Sequence, residues 1–179
     1  FLQHYDPQIR EMRGVYYTPQ PVVEYMVRAV DELLKTEFNL PKGLADTSKI
    51  RVPVLDEDSK NGATKEIDVH RVQILDPATG TGTFLNQIIR FVYETYFAKM
   101  AGMWNSYVEN DLLPRLNGFE LMMAPYAMAH LKLDLLLNET GYQHKGKSRF
   151  QVFLTNSLGD WREMSGSMFT AWLANEAAE

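Results

Sequence analysis

Val72-Gln73-Ile74-Leu75-Asp76-Pro77-Ala78-Thr79-Gly80-Thr81-Gly82-Thr83-Phe84-Leu85 is the stretch on which the fold turns. An apolar strand runs into an acid, then a glycine-rich turn, then the start of an amphipathic helix. Gly80 and Gly82 let the backbone turn tightly and approach a ligand with no Cβ in the way. Asp76 falls at the carboxyl end of the strand, where open α/β sheets place their ligands. Two phosphate-binding patterns fail here. A dinucleotide fingerprint needs a third glycine where Leu85 stands, and a P-loop needs a lysine that does not follow Gly82.

Outward from this turn, the pattern alternates strand and helix. Arg71–Leu75 reads as a first strand, followed by a helix over 83–100 with Leu85, Ile88, Ile89, Val92 and Phe97 at apolar positions. A short helix over 104–113 ends near Pro114. Leu116–Glu120 reads as a second strand ending in an acid. The next helix has Pro125 in its first turn, runs to Glu139 and stops at Gly141. Phe150–Leu154 reads as a third strand, and 168–178 as a helix with Phe169, Trp172 and Leu173 on its stripe. The order predicts an α/β fold, a partial doubly wound (Rossmann-like) sheet preceded by an N-terminal helical segment.

Three regions follow from this reading. Residues 1–40 form the N-terminal helical segment, with Thr18 as N-cap, Pro19 at the first helical position, and Val22 to Leu34 at helical spacing to about Phe38. Residues 41–70 read as a hairpin-like insertion: 51–55 and 66–69 flank a polar segment with Asn61-Gly62. Asp56-Glu57-Asp58 reads as a solvated acidic loop. Residues 71–179 hold the core.

Composition sets outer limits. The chain has 179 residues, 45% apolar and 23% charged, with no cysteine, so disulfides and thiolate metal sites are excluded. The four histidines show no metal-ligand spacing. No apolar run is long enough to span a membrane and no signal-peptide pattern is present, which predicts a cytoplasmic chain without a membrane partner. A net charge of −5 argues against this piece as the main nucleic-acid grip. Lys145, Lys147 and Arg149 read as a solvated loop. The opening residues, Phe1 to Arg13, begin without methionine and read as a piece of a longer protein.

The stretch Asp-Pro-x-x-Gly-x-Gly-x-Phe resembles the first motif of S-adenosylmethionine (SAM) methyltransferases that modify amino groups of bases. Taken with Tyr5-Asp6-Pro7, Arg13 to Pro19 and Gly118 to Tyr126, the chain resembles the N6-adenine DNA methyltransferases of restriction–modification systems. The likeness is closest to large single-chain enzymes that couple a helicase-nuclease to a methyltransferase. It implies S-adenosyl-L-methionine as cofactor, with Tyr16, Tyr17 and Thr18 closing over its methionine part. By the same resemblance Asp76 faces the ammonium, while Ala78, Gly80, Thr81, Gly82 and Phe84 form the binding turn. Glu120 holds the ribose, with Leu121 beside it. Glu120 stands 44 residues after Asp76, against about 20 in a dinucleotide unit, and the extra helix accounts for the excess. Asn156 stands where many relatives carry an aspartate toward the adenine amino group. An amide there still accepts from that group but adds no charge.

The resemblance also implies what to expect elsewhere. Such enzymes carry Asn-Pro-Pro-Tyr or Asp-Pro-Pro-Tyr after the fourth strand to hold the flipped base, and no Pro-Pro pair occurs in this sequence. The expectation is a cofactor-binding part, inactive alone, with no catalytic residue of its own and the catalytic loop beyond Glu179. DNA would be met through other parts of the parent protein, together with helicase and nuclease domains. Two other functions fit the same residues: methyl transfer to RNA or a protein amide, and a scaffold module that kept the fold without the cofactor.

Overall fold

The structure is a computed structural model that describes residues 18–55, 64–143 and 149–158. It is mixed α/β, built on a three-stranded parallel sheet whose strands lie in chain order, with a separate two-stranded hairpin, β1 (Lys49–Leu55) and β2 (Thr64–His70). The strands of the parallel sheet are β3 (Ile74–Asp76), β4 (Leu116–Glu120) and β5 (Gln151–Leu154). Ile74 sits opposite Leu116, Asp76 opposite Gly118, and Glu120 opposite Leu154. This register brings the acids ending β3 and β4 to one end of the sheet.

Helix α2 (Thr83–Val92) leaves the glycine turn and buries Leu85, Ile88, Ile89 and Val92, then continues through a wider turn at Tyr93–Phe97. Helix α3 (Ala101–Tyr107) passes into a wide turn, Val108–Leu112, and a tight turn, Leu113–Arg115, that contains Pro114. Helix α4 (Met123–Glu139) buries Ala129, Leu133, Leu136 and Leu137. Gly141 follows it at φ +83°, a left-handed position that glycine occupies without cost. Trp104 is buried among Tyr93, Phe97 and Tyr107, ring centroids 4.4–5.9 Å apart within this cluster, and its indole N–H donates to Thr140 Oγ1 at 2.9 Å.

Helix α1 (Gln20–Thr36) packs on α2 through Val23 and Val27. Gln20 Nε2 donates to Gln87 Oε1 at 2.7 Å, so the start of α1 lies beside the second turn of α2. The expected cap is corrected. Thr18 does not cap the helix: Pro19 is the N-cap, without a side-chain hydrogen bond. The Pro19 carbonyl accepts from Val22 and Val23 N–H at 3.0 and 3.2 Å, and its ψ of 139° holds it outside the helix.

Hairpin strands β1 (Lys49–Leu55) and β2 (Thr64–His70) pair over their full length, from Lys49 opposite His70 to Leu55 opposite Thr64. The expected first core strand, 71–75, is also corrected: it begins at Ile74. Arg71 N–H donates to Ser48 O at 2.9 Å, and Val72 O accepts from Arg115 at 3.5 Å, so these backbone groups serve the hairpin base and a buried side chain instead of the ladder. Asp56 to Asp58, Asn61-Gly62, Lys145, Lys147 and the helix expected at 168–178 lie outside the described residues. So does Glu179, the residue beyond which the catalytic loop is expected.

Candidate functional site

The turn between β3 and α2 is held from both sides by backbone and side chain. Thr79 N–H donates to Phe119 O at 2.9 Å, and its hydroxyl donates to Asp76 O at 3.0 Å. Gly118 makes this possible, because a Cβ there would collide with the Thr79 side chain. Gly82 N–H closes the turn onto Thr79 O at 2.9 Å, and Gly82 is the N-cap of α2 at φ +79°. A Cβ on Gly82 would lie 3.1 Å from Asn86 Nδ2 and 3.3 Å from Ala129 Cβ. Gly80 differs: its φ is +55°, and a Cβ would meet nothing within 4 Å. That side of the turn is open to an approaching molecule.

Two carboxylates border the turn, in unlike states. Glu120 is buried with a partner on each oxygen: Oε2 accepts the Gly80 N–H at 2.8 Å, and Oε1 accepts the Met122 N–H at 2.8 Å. Its backbone carbonyl accepts the Thr155 N–H at 2.8 Å, which ties the ends of β4 and β5 together. Each carboxylate oxygen keeps a second lone pair for another donor. Asp76 Oδ1 accepts the Ala78 N–H at 3.2 Å, whereas Asp76 Oδ2 is buried with no hydrogen-bond partner. Burial pushes the Asp76 carboxyl above the ordinary carboxylate value, and the Ala78 amide opposes the shift. An unpaired buried carboxylate oxygen is costly, so it marks a place where a cationic or hydrogen-bonding group would be stabilised.

The remaining expected residues distribute as follows. Ala78, Gly80, Thr81, Gly82 and Phe84 share the turn and the first turn of α2, with Phe84 packed against the core. Leu121 lies just past Glu120 and is mostly exposed. Asn156 is exposed two residues beyond β5, and its Oδ1 accepts the Leu158 N–H at 3.1 Å. Thr18 is half-buried immediately before α1, while Tyr16 and Tyr17 lie outside the described residues. Arg149 places its guanidinium 5.7 Å from the Phe153 ring centroid. Sequence reasoning missed Thr79, Ala129 and Lys132 as partners of the turn. Gly118, a glycine inside a strand, was the available signal of close backbone approach.

Among the described residues no group of His, Asp and Glu could hold a metal ion, and no helix is long and apolar enough to cross a membrane. No protein-family model and no curated protein matches the chain. Solved structures do. The chain is similar to part of the cryo-EM structure of a DrdV–DNA complex, at 26% identity and a TM-score of 0.61, covering 99% of this chain and 14% of that one. It is similar to the ATP-dependent Type ISP restriction-modification enzyme LlaBIII bound to DNA, at 26% identity and a TM-score of 0.56, covering 80% of this chain and 8% of that one. A nuclease-deletion mutant of the Type ISP restriction-modification enzyme LlaGI, in complex with a DNA substrate mimic, shares the fold at 22% identity and a TM-score of 0.59. That match covers 90% of this chain and 11% of that one.

Proposed function

We propose that this chain is the SAM-binding part of a DNA adenine-N6 methyltransferase belonging to a restriction–modification enzyme. The observation that carries the reading is the unpartnered, buried Asp76 Oδ2 beside a turn whose Gly80 side stands open. SAM presents an ammonium, a carboxylate, a sulfonium and ribose hydroxyls but no phosphate, and its ammonium and hydroxyl donors suit carboxylates. Asp76 Oδ2 would accept from the ammonium. Glu120, already held by the Gly80 and Met122 amides, would accept from ribose hydroxyls on its remaining lone pairs. Gly80 would let the turn approach the cofactor, and Thr18, two residues before the Gln20 that bonds Gln87 of α2, would stand near it. The three-stranded order supports a Rossmann-like sheet, since a ligand site outside the carboxyl ends of parallel strands is the rule for such sheets.

When bound, SAM supplies an electrophilic methyl group. The residues here would orient it for in-line attack by an amino nitrogen, which is catalysis by positioning. The likeness to DNA-bound restriction-modification enzymes, of which the chain spans 14% or less, supports DNA as the substrate and supports further domains in the whole protein.

Calorimetric titration with SAM, its demethylated product and NAD tests the cofactor. Binding of both SAM ligands without NAD is the expected result. A folded sample that binds neither SAM ligand overturns the reading and favours a scaffold with this fold.

A further inference from the structure

The glycine turn has a second anchor, which the cofactor reading does not use. Lys132 on α4 donates from Nζ to Thr81 Oγ1 at 2.8 Å, across 51 residues of sequence. Thr81 is 7% exposed, so its hydroxyl is turned inward toward α4, whereas Lys132 lies on the exposed side of that helix. One turn earlier on the same helix, fully buried Ala129 fits under Gly82, where a Cβ on the glycine would stand only 3.3 Å away. The Asn86 side chain donates to Gly82 O at 2.8 Å from the α2 side. Glu120 holds Gly80 from β4. Successive residues of the turn are therefore held by different elements: Gly80 by the strand, Thr81 by α4, and Gly82 by α2 with Ala129 of α4 packed close beneath it.

We propose that Lys132 is a positioning residue that sets the conformation of this turn, so that ligand affinity depends on a lysine that acts through Thr81. The proposal rests on the cofactor reading for its ligand, and not for its geometry. The ammonium occupies a lone pair of the Thr81 hydroxyl, and a charge-assisted bond of this kind fixes a rotamer that an unaided threonine on a glycine-flanked turn would not hold. Losing it lets Gly80 and Gly82 explore the wide conformational range open to glycine, and that entropy must be removed again on binding.

The test uses the 179-residue chain with Lys132→Met, Thr81→Val and Thr81→Ser. Met keeps the aliphatic stem and removes the donor; Val keeps the shape of Thr and removes the hydroxyl. Lys132→Met and Thr81→Val should each weaken SAM binding about fivefold to tenfold, in line with a partly exposed charged hydrogen bond. The double variant should be no weaker than either single one, and Thr81→Ser should recover binding by restoring the hydroxyl. A residue that only stabilised the fold would shift the melting temperature without this pattern. Independently of SAM, hydrogen exchange at the Gly80 and Gly82 amides should quicken in Lys132→Met. Asp76→Asn separates the two claims, because it should weaken SAM binding without quickening exchange at those amides. Affinity within about twofold of the unchanged chain in both single variants, or fully multiplicative effects, would overturn the proposal. If the unchanged chain binds no SAM, exchange at the two amides decides alone: unchanged rates overturn the positioning role.

Discussion

One oxygen of Asp76 accepts the Ala78 amide and the other is buried without a partner, so this residue is held at an electrostatic cost. Burial raises its carboxyl above the ordinary value, so the folded chain binds that proton more readily than the unfolded chain. The stability gained by protonation is fully present below the ordinary carboxylate range and is lost as pH rises through the raised folded value. Asp76→Asn, which keeps the amide contact and drops the charge, should therefore melt at or above the temperature of the unchanged chain at pH 7. That advantage should shrink as pH falls through the carboxylate range, in thermal scans at stepped pH. The same substitution should weaken SAM binding at least about tenfold, as expected for an ammonium deprived of its charged acceptor. The glycines separate conformational strain from contact. Gly80→Ala meets open space and carries only the left-handed penalty of about 1–2 kcal/mol. Gly82→Ala adds pressure on Ala129 and Asn86, and should cost more than Gly80→Ala in denaturant midpoint at unchanged slope. A larger loss for Gly80→Ala would contradict this placement of the two residues.

At the scale of elements, the hairpin and the parallel sheet differ in what covers them. The β1–β2 pair is exposed along most of β2, and Arg51 and Asp68, 3.4 Å apart across the strands, are both solvated. Its base is tied down, where buried His70 meets Asp111 at 3.0 Å. A two-stranded ribbon with so little burial opens locally. Amides of 50–52, 54 and 65–68 should exchange at least about a hundredfold faster than those of 117–119 and 152–154, a difference of roughly 3 kcal/mol in opening free energy. Equal protection would mean that the hairpin is covered in solution. The elements also show what a reader of the sequence can see. Strand β4 spans 116–120 and α4 ends at Glu139, as the pattern implies, because Pro114, the terminal acid and Gly141 are local signals. Strand β3 starts later than the pattern implies because the backbone at Arg71 and Val72 is claimed by Ser48 and Arg115, contacts with no local trace. That Asp76 and Glu120 end strands beside a glycine turn was legible from type and spacing. The support of that turn was not: Lys132–Thr81 depends on how α4 lies against the turn.

Across the whole molecule, Arg115 joins pieces that are distant in sequence. Fully buried, it donates to Asp111 O at 2.7 Å, to Leu44 O at 2.6 Å and to the Tyr107 hydroxyl at 2.6 Å, and reaches Val72 O at 3.5 Å. The Gly43–Ala45 turn that follows α1, the approach to β3 and the wide turn after α3 thus meet on one guanidinium. Arg115→Ala would leave buried acceptors unpaired and a cavity among them, a loss of about 3–5 kcal/mol by analogy with other broken buried polar networks. Burial pushes the Tyr107 phenol up to about 12, the Arg115 charge opposing that shift. Its folded pKa thus lies above that of the unfolded chain. The associated stability is complete below the ordinary tyrosine value and is lost as pH rises through the folded one. Denaturant titrations between about pH 9 and about pH 12 should show stability falling as tyrosine ionises in the unfolded state first. Tyr107→Phe should flatten that fall, at the expense of a buried acceptor lost to Arg115 and lower stability at pH 7. If Tyr107→Phe left the alkaline slope untouched, the phenol would not be buried against Arg115. The junction that holds α1, the hairpin base and the sheet together would then be built differently.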